Sequence, residues 1–232
     1  ERVLGLHFFS PANIMRLVEV VRCAKTAPAV LASGIALAKK LGKLPVVTGV
    51  TEGFIGNRIF SAYRREAEFL VEDGAEPQQI DAAMEDYGMA MGPFAVFDLA
   101  GLEIAWARRK RQAEDRDPAA RYVDIADKLC EAGRFGQKSG KGWYSYATGK
   151  RTVDPEVTAL IAQCRSAKGI LPRPMAATEI VARLLAAMAD EGEKLLDEKI
   201  AARAGDIDLV MINGYGFPSH KGGPLYAAHL SK

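Results

Sequence analysis

The alternation of apolar and polar residues divides the chain into a short strand-rich start and a longer helical remainder. Apolar runs at 3–9 and 17–21 are short enough for buried strands, and a Ser-Pro-Ala-Asn segment at 10–13 supplies a turn between them. From residue 55 onward, apolar residues recur about every four positions, which is the spacing of one face of a helix. The predicted elements are strands at 3–9, 17–21 and 44–47, and helices at 27–41, 55–74, 78–87, after 93 and at 124–133.

Two stretches of the helical remainder repeat the same order of features. At 58–93 and again at 183–224, a long apolar helix is followed by an acidic turn, an Ile-Asp-x-x-Met helix start and a loop that ends in Gly-Pro. The matching residues are Ile80, Asp81 and Met84 in the first stretch, and Ile207, Asp208 and Met211 in the second. The pattern predicts a mainly α protein with a small α/β N-terminal part and an internal duplication.

The amino-acid composition limits the class of protein to which the chain can belong and the kinds of partner that it favours. The 232 residues are 49% hydrophobic and 26% charged, which is typical of a globular protein and excludes disordered and collagen-like classes. A net charge of +2 favours neither a nucleic acid nor a membrane surface, and no apolar run reaches the roughly 18 residues of a membrane span. Cys23, Cys130 and Cys164 have no ligand spacing, so we expect no disulfide framework and no metal site. Free cysteines indicate a reducing compartment, and a cytoplasmic location is predicted.

The segment 5–19 carries the strongest candidate chemistry, with His7 in the first apolar run and Glu19 in the second. A return across the turn would bring these side chains to neighbouring strand ends. A neutral imidazole takes and returns a proton near neutral pH, and a carboxylate on its other nitrogen fixes the tautomer and stabilises the imidazolium. The residues alone leave two interpretations: a catalytic base with its orienting acid, or a hydrogen-bonded core histidine beside an unrelated glutamate.

The sequence GLHFFSPANIMRLVEVV at 5–21 resembles the catalytic segment of the L-3-hydroxyacyl-CoA dehydrogenases. The resemblance implies that His7 removes the proton of the substrate 3-hydroxyl while hydride leaves for NAD, and that Glu19 orients the histidine. Ser10 stands where single-function members usually have Asn, next to the nicotinamide. Serine at that position is similar to the multifunctional fatty-acid oxidation proteins.

Two further motifs add candidate site residues. Asn57, near the start of the first long helix, can either cap that helix or offer its amide to a ligand. Its segment EGFIGNR resembles the family signature T-x-G-F-[IV]-x-N-R, which implies that Asn57 contacts the reacting part of the substrate and supports transition-state charge. The segment FGQKSGKGWYSY at 135–146 also resembles a family motif, which implies that Lys138 lies near the nicotinamide end of the cofactor site.

The remaining motifs are interpreted as architecture. The segment 88–102 resembles the family motif G-x-P-M-G-P-F-x-x-x-D-x-x-G-L, in which Asp98 is either a helix-surface charge or a partner to backbone amides. The basic run at 108–111 is interpreted as a solvated helix face. His220, Lys221 and His229 are interpreted as structural or exposed, so the second repeat is expected to carry no chemistry.

The resemblance also implies a domain organisation. No G-x-G-x-x-G occurs in the sequence, so the usual pyrophosphate-binding element is not among these residues, and we interpret the chain as a fragment. Residues 1–50 would be the C-terminal end of a truncated Rossmann-like NAD-binding domain. Residues 51–147 and 148–232 would be two tandem helical domains of the 3-hydroxyacyl-CoA dehydrogenase C-terminal type.

The predicted function is NAD-dependent oxidation of (S)-3-hydroxyacyl-CoA to 3-ketoacyl-CoA in fatty-acid β-oxidation, by a parent protein with an acyl-CoA substrate. The isolated chain is expected to be inactive. The alternative is a non-catalytic helical packing or dimerisation module of such an enzyme. A homodimer, or intramolecular packing with a hydratase domain, would fit. A bacterial cytosol is preferred over a peroxisome, and Ser231-Lys232 does not complete a Ser-Lys-Leu ending.

Overall fold

The computed structural model of the chain describes residues 1–230. The strands are β1 (Gly5–Phe8), β2 (Leu17–Val21) and β3 (Leu44–Thr48). The helices are α1 (Pro28–Lys40), α2 (Gly56–Asp73), α3 (Pro77–Tyr87), α4 (Pro93–Ala100), α5 (Leu102–Arg111), α6 (Ile125–Glu131), α7 (Pro155–Ala167), α8 (Ala177–Asp197), α9 (Ala204–Tyr215) and α10 (Pro224–Leu230). The predicted fold class, mainly helical with a small N-terminal sheet, is confirmed at this level. The observation on the Ser231-Lys232 ending lies outside the described residues.

The three strands form one sheet in the order β1-β2-β3, with β1 antiparallel to β2 and β2 parallel to β3. β2 is the central strand of this sheet, and all five of its residues are buried. Its register with β1 sets His7 directly opposite Glu19. The two residues therefore lie within the paired strands, although the sequence placed them at neighbouring strand ends.

Alternate residues of β2 face opposite sides of the sheet. Val18 and Val20 pack with Ala38 of α1 in one apolar cluster. The opposite face carries Leu17 and Glu19, and Glu19 is the charged member of a strand that is otherwise apolar. A carboxylate at such a position requires polar partners, because an unpaired buried charge costs several kcal/mol, on the order of a protein's whole stability.

The chain forms two compact units that are interleaved along the sequence. Unit 1 contains Glu1–Arg64, Gly88–Ala90 and the residues from 182 onward. Unit 2 contains Arg65–Tyr87 and Met91–Val181. The sheet and the candidate residues His7, Ser10, Glu19 and Asn57 all belong to unit 1, whereas Lys138 belongs to unit 2.

Asp81 joins α3 to the start of α4 within unit 2. It accepts hydrogen bonds from the backbone N–H groups of Phe94 and Ala95, at 2.8 and 3.0 Å, and from the hydroxyl of Tyr144 at 2.7 Å. The carboxylate of Asp81 thereby satisfies two free amides of the first turn of α4. Burial raises the pKa of Asp81 to about 6, although these hydrogen bonds oppose the shift.

Asp98, within α4 itself, makes a similar connection to residues 143–146. Its two oxygens accept from the backbone N–H groups of Trp143 and Tyr144, at 2.9 and 3.0 Å, and one of them also accepts from the hydroxyl of Tyr146 at 3.1 Å. Burial raises the pKa of Asp98 to about 6 as well. Of the two interpretations of this residue, the partner to backbone amides is the correct one.

One expectation about unit 2 is wrong in part. Arg109, within the basic run, is only 15% exposed and pairs with Asp127 at 2.7 Å and with Glu68 at 3.5 Å. Its neighbour Lys110 lies over the ring of Trp106. The run is therefore partly a packing element. The sequence shows that the run is basic, but it does not show which of its arginines faces the interior.

Cys23, Cys130 and Cys164 are free thiols in the structure. Within residues 1–230, no helix is long and apolar enough to cross a membrane. In the same residues, no group of three or more His, Cys, Asp or Glu side chains is arranged to hold a metal ion.

The close approach of α3 and α4 predicts a steric effect at Gly92. A methyl group there would lie 2.2 Å from Asp81 Cα, so Gly92→Ala is expected to destabilise the fold by about 1–3 kcal/mol. Gly205 lies in α9 with no atom within 4 Å of an added Cβ, so Gly205→Ala should be neutral or slightly stabilising. Urea unfolding of both variants measures the difference, and equal midpoints would contradict the prediction.

The raised pKa of Asp81 predicts a pH dependence of stability. The folded state holds this proton more tightly than the unfolded state, whose aspartate pKa is near 3.8. The stabilisation is therefore complete below about pH 4 and is lost as the pH rises through about 6, with a magnitude of about 3 kcal/mol. In urea titrations from pH 4 to 7, we expect the stability of the wild-type protein to decline and Asp81→Asn to flatten this decline. Asp86→Asn, on the exposed side of α3, is the matched control, and an unchanged slope in Asp81→Asn would refute the prediction.

Candidate active site

His7 and Glu19 form a hydrogen-bonded pair across the β1-β2 ladder. His7 Nδ1 lies 2.6 Å from Glu19 Oε2. The side chain of His7 is 28% exposed, whereas that of Glu19 is fully buried. The buried carboxylate thus holds one ring nitrogen of His7, while the exposed part of the imidazole can contact a ligand.

The second oxygen of Glu19 binds the start of α2. Glu19 Oε1 accepts from the backbone N–H groups of Ile55 and Gly56, at 3.0 and 2.9 Å. These are amides of a helix N-terminus, which have no partner within the helix and favour a negative charge. Glu19 therefore fixes the position of His7 and of the helix entrance at the same time.

The hydrogen-bond pattern assigns the tautomer of His7. An ionised carboxylate can only accept, so we assign the shared proton to Nδ1. Nε2 then carries the free lone pair. The arrangement can accept a proton at Nε2 and stabilise the resulting imidazolium through Glu19.

Two aromatic residues frame the imidazole. The ring of Phe9 lies 4.8 Å from that of His7 between centroids, and the ring of Phe54 lies 5.5 Å away. Phe54 has a φ of 49°, in the left-handed region that a residue with a side chain rarely adopts. Such backbone strain is often found at functional sites. Phe54 was not singled out from the sequence, because no local pattern predicts a left-handed phenylalanine.

Asn57 lies on the first turn of α2 and is exposed. Its Oδ1 accepts a hydrogen bond from the hydroxyl of Tyr215 at 2.7 Å. The two amides at the helix entrance donate to Glu19, so Glu19 has the capping role that the sequence offered to Asn57. Tyr215 was missed, because nothing in its sequence neighbourhood points to a residue so distant along the chain.

Arg58, the next residue, anchors the same turn. Its Nε lies 2.6 Å from Glu191 Oε1, and its two terminal nitrogens lie 2.5 and 2.7 Å from the carboxylate of Glu198. Hydrogen bonding to Glu198 raises the pKa of Arg58 further above its usual value, against the effect of burial. The first turn of α2 is thereby tied to α8.

The other predicted residues lie outside strands β1 and β2. Ser10 is exposed just beyond β1, in the Ser10-Pro11 segment, whose peptide bond is cis. Lys138 is exposed in a short 3-10 helix of unit 2, and its cofactor role stays a prediction. His229 lies 3.3 Å from Glu193, and His220 is exposed, as expected for residues outside the chemistry.

Two sequence profiles match consecutive parts of the chain. Residues 1–51 match the 3-hydroxyacyl-CoA dehydrogenase NAD binding domain, and residues 53–146 match the C-terminal domain of the same family. Together they cover more than half of the chain. The first match identifies NAD as the cofactor of the family.

Similar proteins agree with these profiles. A peroxisomal bifunctional enzyme of Danio rerio is 44% identical over 99% of this chain and 34% of its own length, and the enzyme of the same name from Homo sapiens is 42% identical over 97% and 33%. The crystal structure of 3-hydroxybutyryl-CoA dehydrogenase from Escherichia coli aligns with a TM-score of 0.77 at 27% identity, over 99% of this chain and 64% of the other. The dehydrogenase part of multifunctional enzyme 1 from C. elegans aligns with a TM-score of 0.69 at 28% identity, over 95% and 50%.

The chain spans about a third of the length of the curated relatives it matches. Their names also correct one expectation. The preference for a cytoplasmic location was wrong, since the relatives at 42 to 44% identity are named as peroxisomal and one from Brassica napus, at 36%, as glyoxysomal. Free cysteines indicate a reducing compartment but do not distinguish one such compartment from another.

The two profile matches follow each other along the chain and belong to two domains of one family. The chain belongs to the 3-hydroxyacyl-CoA dehydrogenase family.

Proposed function

We propose that these residues are the dehydrogenase part of a longer multifunctional enzyme, which oxidises (S)-3-hydroxyacyl-CoA to 3-ketoacyl-CoA with NAD in fatty-acid β-oxidation. The observation that carries the proposal is the 2.6 Å hydrogen bond between His7 Nδ1 and the fully buried Glu19. A carboxylate that fixes one nitrogen of a partly exposed imidazole meets the needs of a general base. The bifunctional and multifunctional relatives support the substrate class.

In this proposal, His7 Nε2 accepts the proton of the substrate 3-hydroxyl as C3 becomes a carbonyl carbon. NAD, when bound, supplies the acceptor for the hydride that leaves C3. The imidazolium keeps Nδ1–H directed at Glu19, 2.6 Å away, which stabilises its positive charge. Glu19 keeps its place during the step, because its other oxygen is bound to two backbone N–H groups.

Asn57 has the role of supporting charge on the substrate oxygen. It is exposed at the helix turn that Glu19 caps, so one carboxylate anchors both the base and this amide. An amide N–H that donates to the oxygen stabilises the charge that develops there as the proton leaves. The role rests on the family resemblance and is supported by this shared anchor.

The resemblance assigns Ser10 to the nicotinamide end of an NAD site, and its exposed hydroxyl, three residues beyond His7, is a group that can bond to a nicotinamide amide. The glycine-rich pyrophosphate element is not in this sequence. We therefore assign the rest of the cofactor site to a part of the protein outside these residues.

We also propose that 51–147 and 148–232 are two copies of one helical domain. Asp208 on α9 accepts from the backbone N–H groups of Leu225 and Tyr226, at 2.9 and 3.2 Å, as Asp81 does at the start of α4. In both places a Gly-Pro pair opens the helix that receives the carboxylate. A Cβ on Gly92 or on Gly223 would lie 2.3 Å from the Cβ of the respective aspartate. The agreement between these two contacts supports an internal duplication over a chance similarity of two helical stretches.

The duplication suggests how the second copy is used. Within unit 1, α9 packs on the sheet at Gly214, where an added Cβ would lie 2.7 Å from the Leu17 side chain. This contact supports intramolecular packing by the second copy over a homodimer contact at the same face. The bifunctional relatives support a hydratase domain as a further intramolecular partner.

The proposed base predicts a large loss of turnover in His7→Gln. Removal of a general base costs about 100- to 10,000-fold in kcat, whereas the fold should be retained because the side chain is partly exposed. The measurement is NADH formation from NAD and (S)-3-hydroxybutyryl-CoA, in a version that includes an upstream nucleotide-binding segment. His229→Gln is the matched control, and it should keep the wild-type rate. Equal rates for the two variants would overturn the proposed base.

The shared proton predicts a tautomer change in Glu19→Gln. The glutamine carbonyl can still accept from Ile55 and Gly56, so α2 should form normally. Its NH2 group would then face His7 Nδ1, which must accept, and the proton moves to Nε2, where the base is needed. We expect a loss of about 10,000-fold in kcat, with an Nε2–H imidazole in nitrogen NMR spectra. A retained Nδ1–H tautomer would contradict this assignment.

A further inference from the structure

The hydroxyl of Tyr215 contacts the amide of Asn57 from a position 158 residues further along the chain. Tyr215 is the last residue of α9, within the second helical copy. The second copy was expected to carry no chemistry. This contact instead places one of its side chains on the amide that the proposed reaction uses.

The ring of Tyr215 is held on several sides. Its centroid lies 5.6 Å from that of Phe9, in an edge contact, and 5.1 Å from that of Phe60. At Gly56, an added Cβ would lie 2.6 Å from the tyrosine ring. The glycine at this position therefore lets the ring pack directly on the entrance of α2. A ring held in this way presents its hydroxyl at a fixed place.

The hydroxyl of Tyr215 determines which end of the Asn57 side-chain amide faces it. Burial, with a smaller contribution from the charge of Glu19, raises the pKa of Tyr215 well above its usual value, so the hydroxyl keeps its proton. A hydroxyl that donates binds the amide at its carbonyl oxygen, Oδ1, and turns Nδ2 away. In the reverse orientation, Oδ1 would face the substrate oxygen, and two acceptors would oppose each other.

We propose that Tyr215 is a positioning residue, whose hydroxyl holds the Asn57 amide so that its NH2 group donates to the substrate oxygen. The inference rests on the proposed function and adds a residue to its site. Arg58 complements the arrangement, because its ion pairs with Glu191 and Glu198 fix the backbone of the same turn. Tyr215 orients the side chain, and Arg58 holds the helix turn that carries it.

Tyr215→Phe tests the inference, because it keeps the ring contacts and removes the hydroxyl. In the upstream-extended protein, we expect kcat for (S)-3-hydroxybutyryl-CoA oxidation to fall about three- to tenfold, as for the loss of one hydrogen bond, with KM within about twofold. Tyr226→Phe, an exposed tyrosine of the same copy, is the control and should keep wild-type values. A wild-type kcat in Tyr215→Phe would overturn the inference.

A double-mutant cycle separates positioning from general packing. If Tyr215 acts through Asn57, Tyr215→Phe should cause no further loss of kcat in an Asn57→Ala background. Independent, multiplicative losses would show a structural effect and overturn the inference. The same assay distinguishes a failure of this inference from a failure of the proposed function. If the wild-type, upstream-extended protein forms no NADH, both proposals are wrong. If His7→Gln abolishes turnover while Tyr215→Phe has no effect, this inference alone fails.

Discussion

The organisation of unit 1 depends on how the buried charge of Glu19 is neutralised. A carboxylate in the central strand of a sheet is stable only when several donors surround it. Here His7 and the two amides at the start of α2 supply them, at 2.6 to 3.0 Å. The same interactions orient the imidazole and set the position of Asn57. Stability and the proposed chemistry thus depend on one group of hydrogen bonds, so a side chain at position 19 that accepts none of them would affect both.

The same device recurs in the helical part of the chain. Asp81, Asp98 and Asp208 each accept two consecutive backbone N–H groups, as Glu19 does. Three of these four carboxylates bind the entrance of a helix, where free amides favour a negative charge. Asp98 binds a loop segment by the same pattern. Each of the three contacts at a helix entrance fixes one helix start against one carboxylate. Apolar packing alone is less directional and would define these pairings less well.

The sequence predicts much of this arrangement, and the reasons for its failures are physical. Apolar periodicity places the three strands and the helices α1, α2, α3, α4 and α6 within a few residues, and the pairing of His7 with Glu19 follows from two short strands joined by a turn. The contact of Tyr215 with Asn57 and the inward turn of Arg109 depend on tertiary packing, which has no local signature. The left-handed Phe54 is likewise imposed by its surroundings. The roles of Ser10 and Lys138 rest on resemblance alone.

Unit 1 takes its residues from both ends of the sequence, and this affects how the chain must fold during synthesis. His7, Glu19 and Asn57 are synthesised before Tyr215 and Glu198, which complete the surroundings of the first turn of α2 from positions more than a hundred residues later. Contacts at such sequence separation form slowly, because a long loop must close first. The first turn of α2 therefore reaches its final surroundings only after Glu198 and Tyr215 have been made.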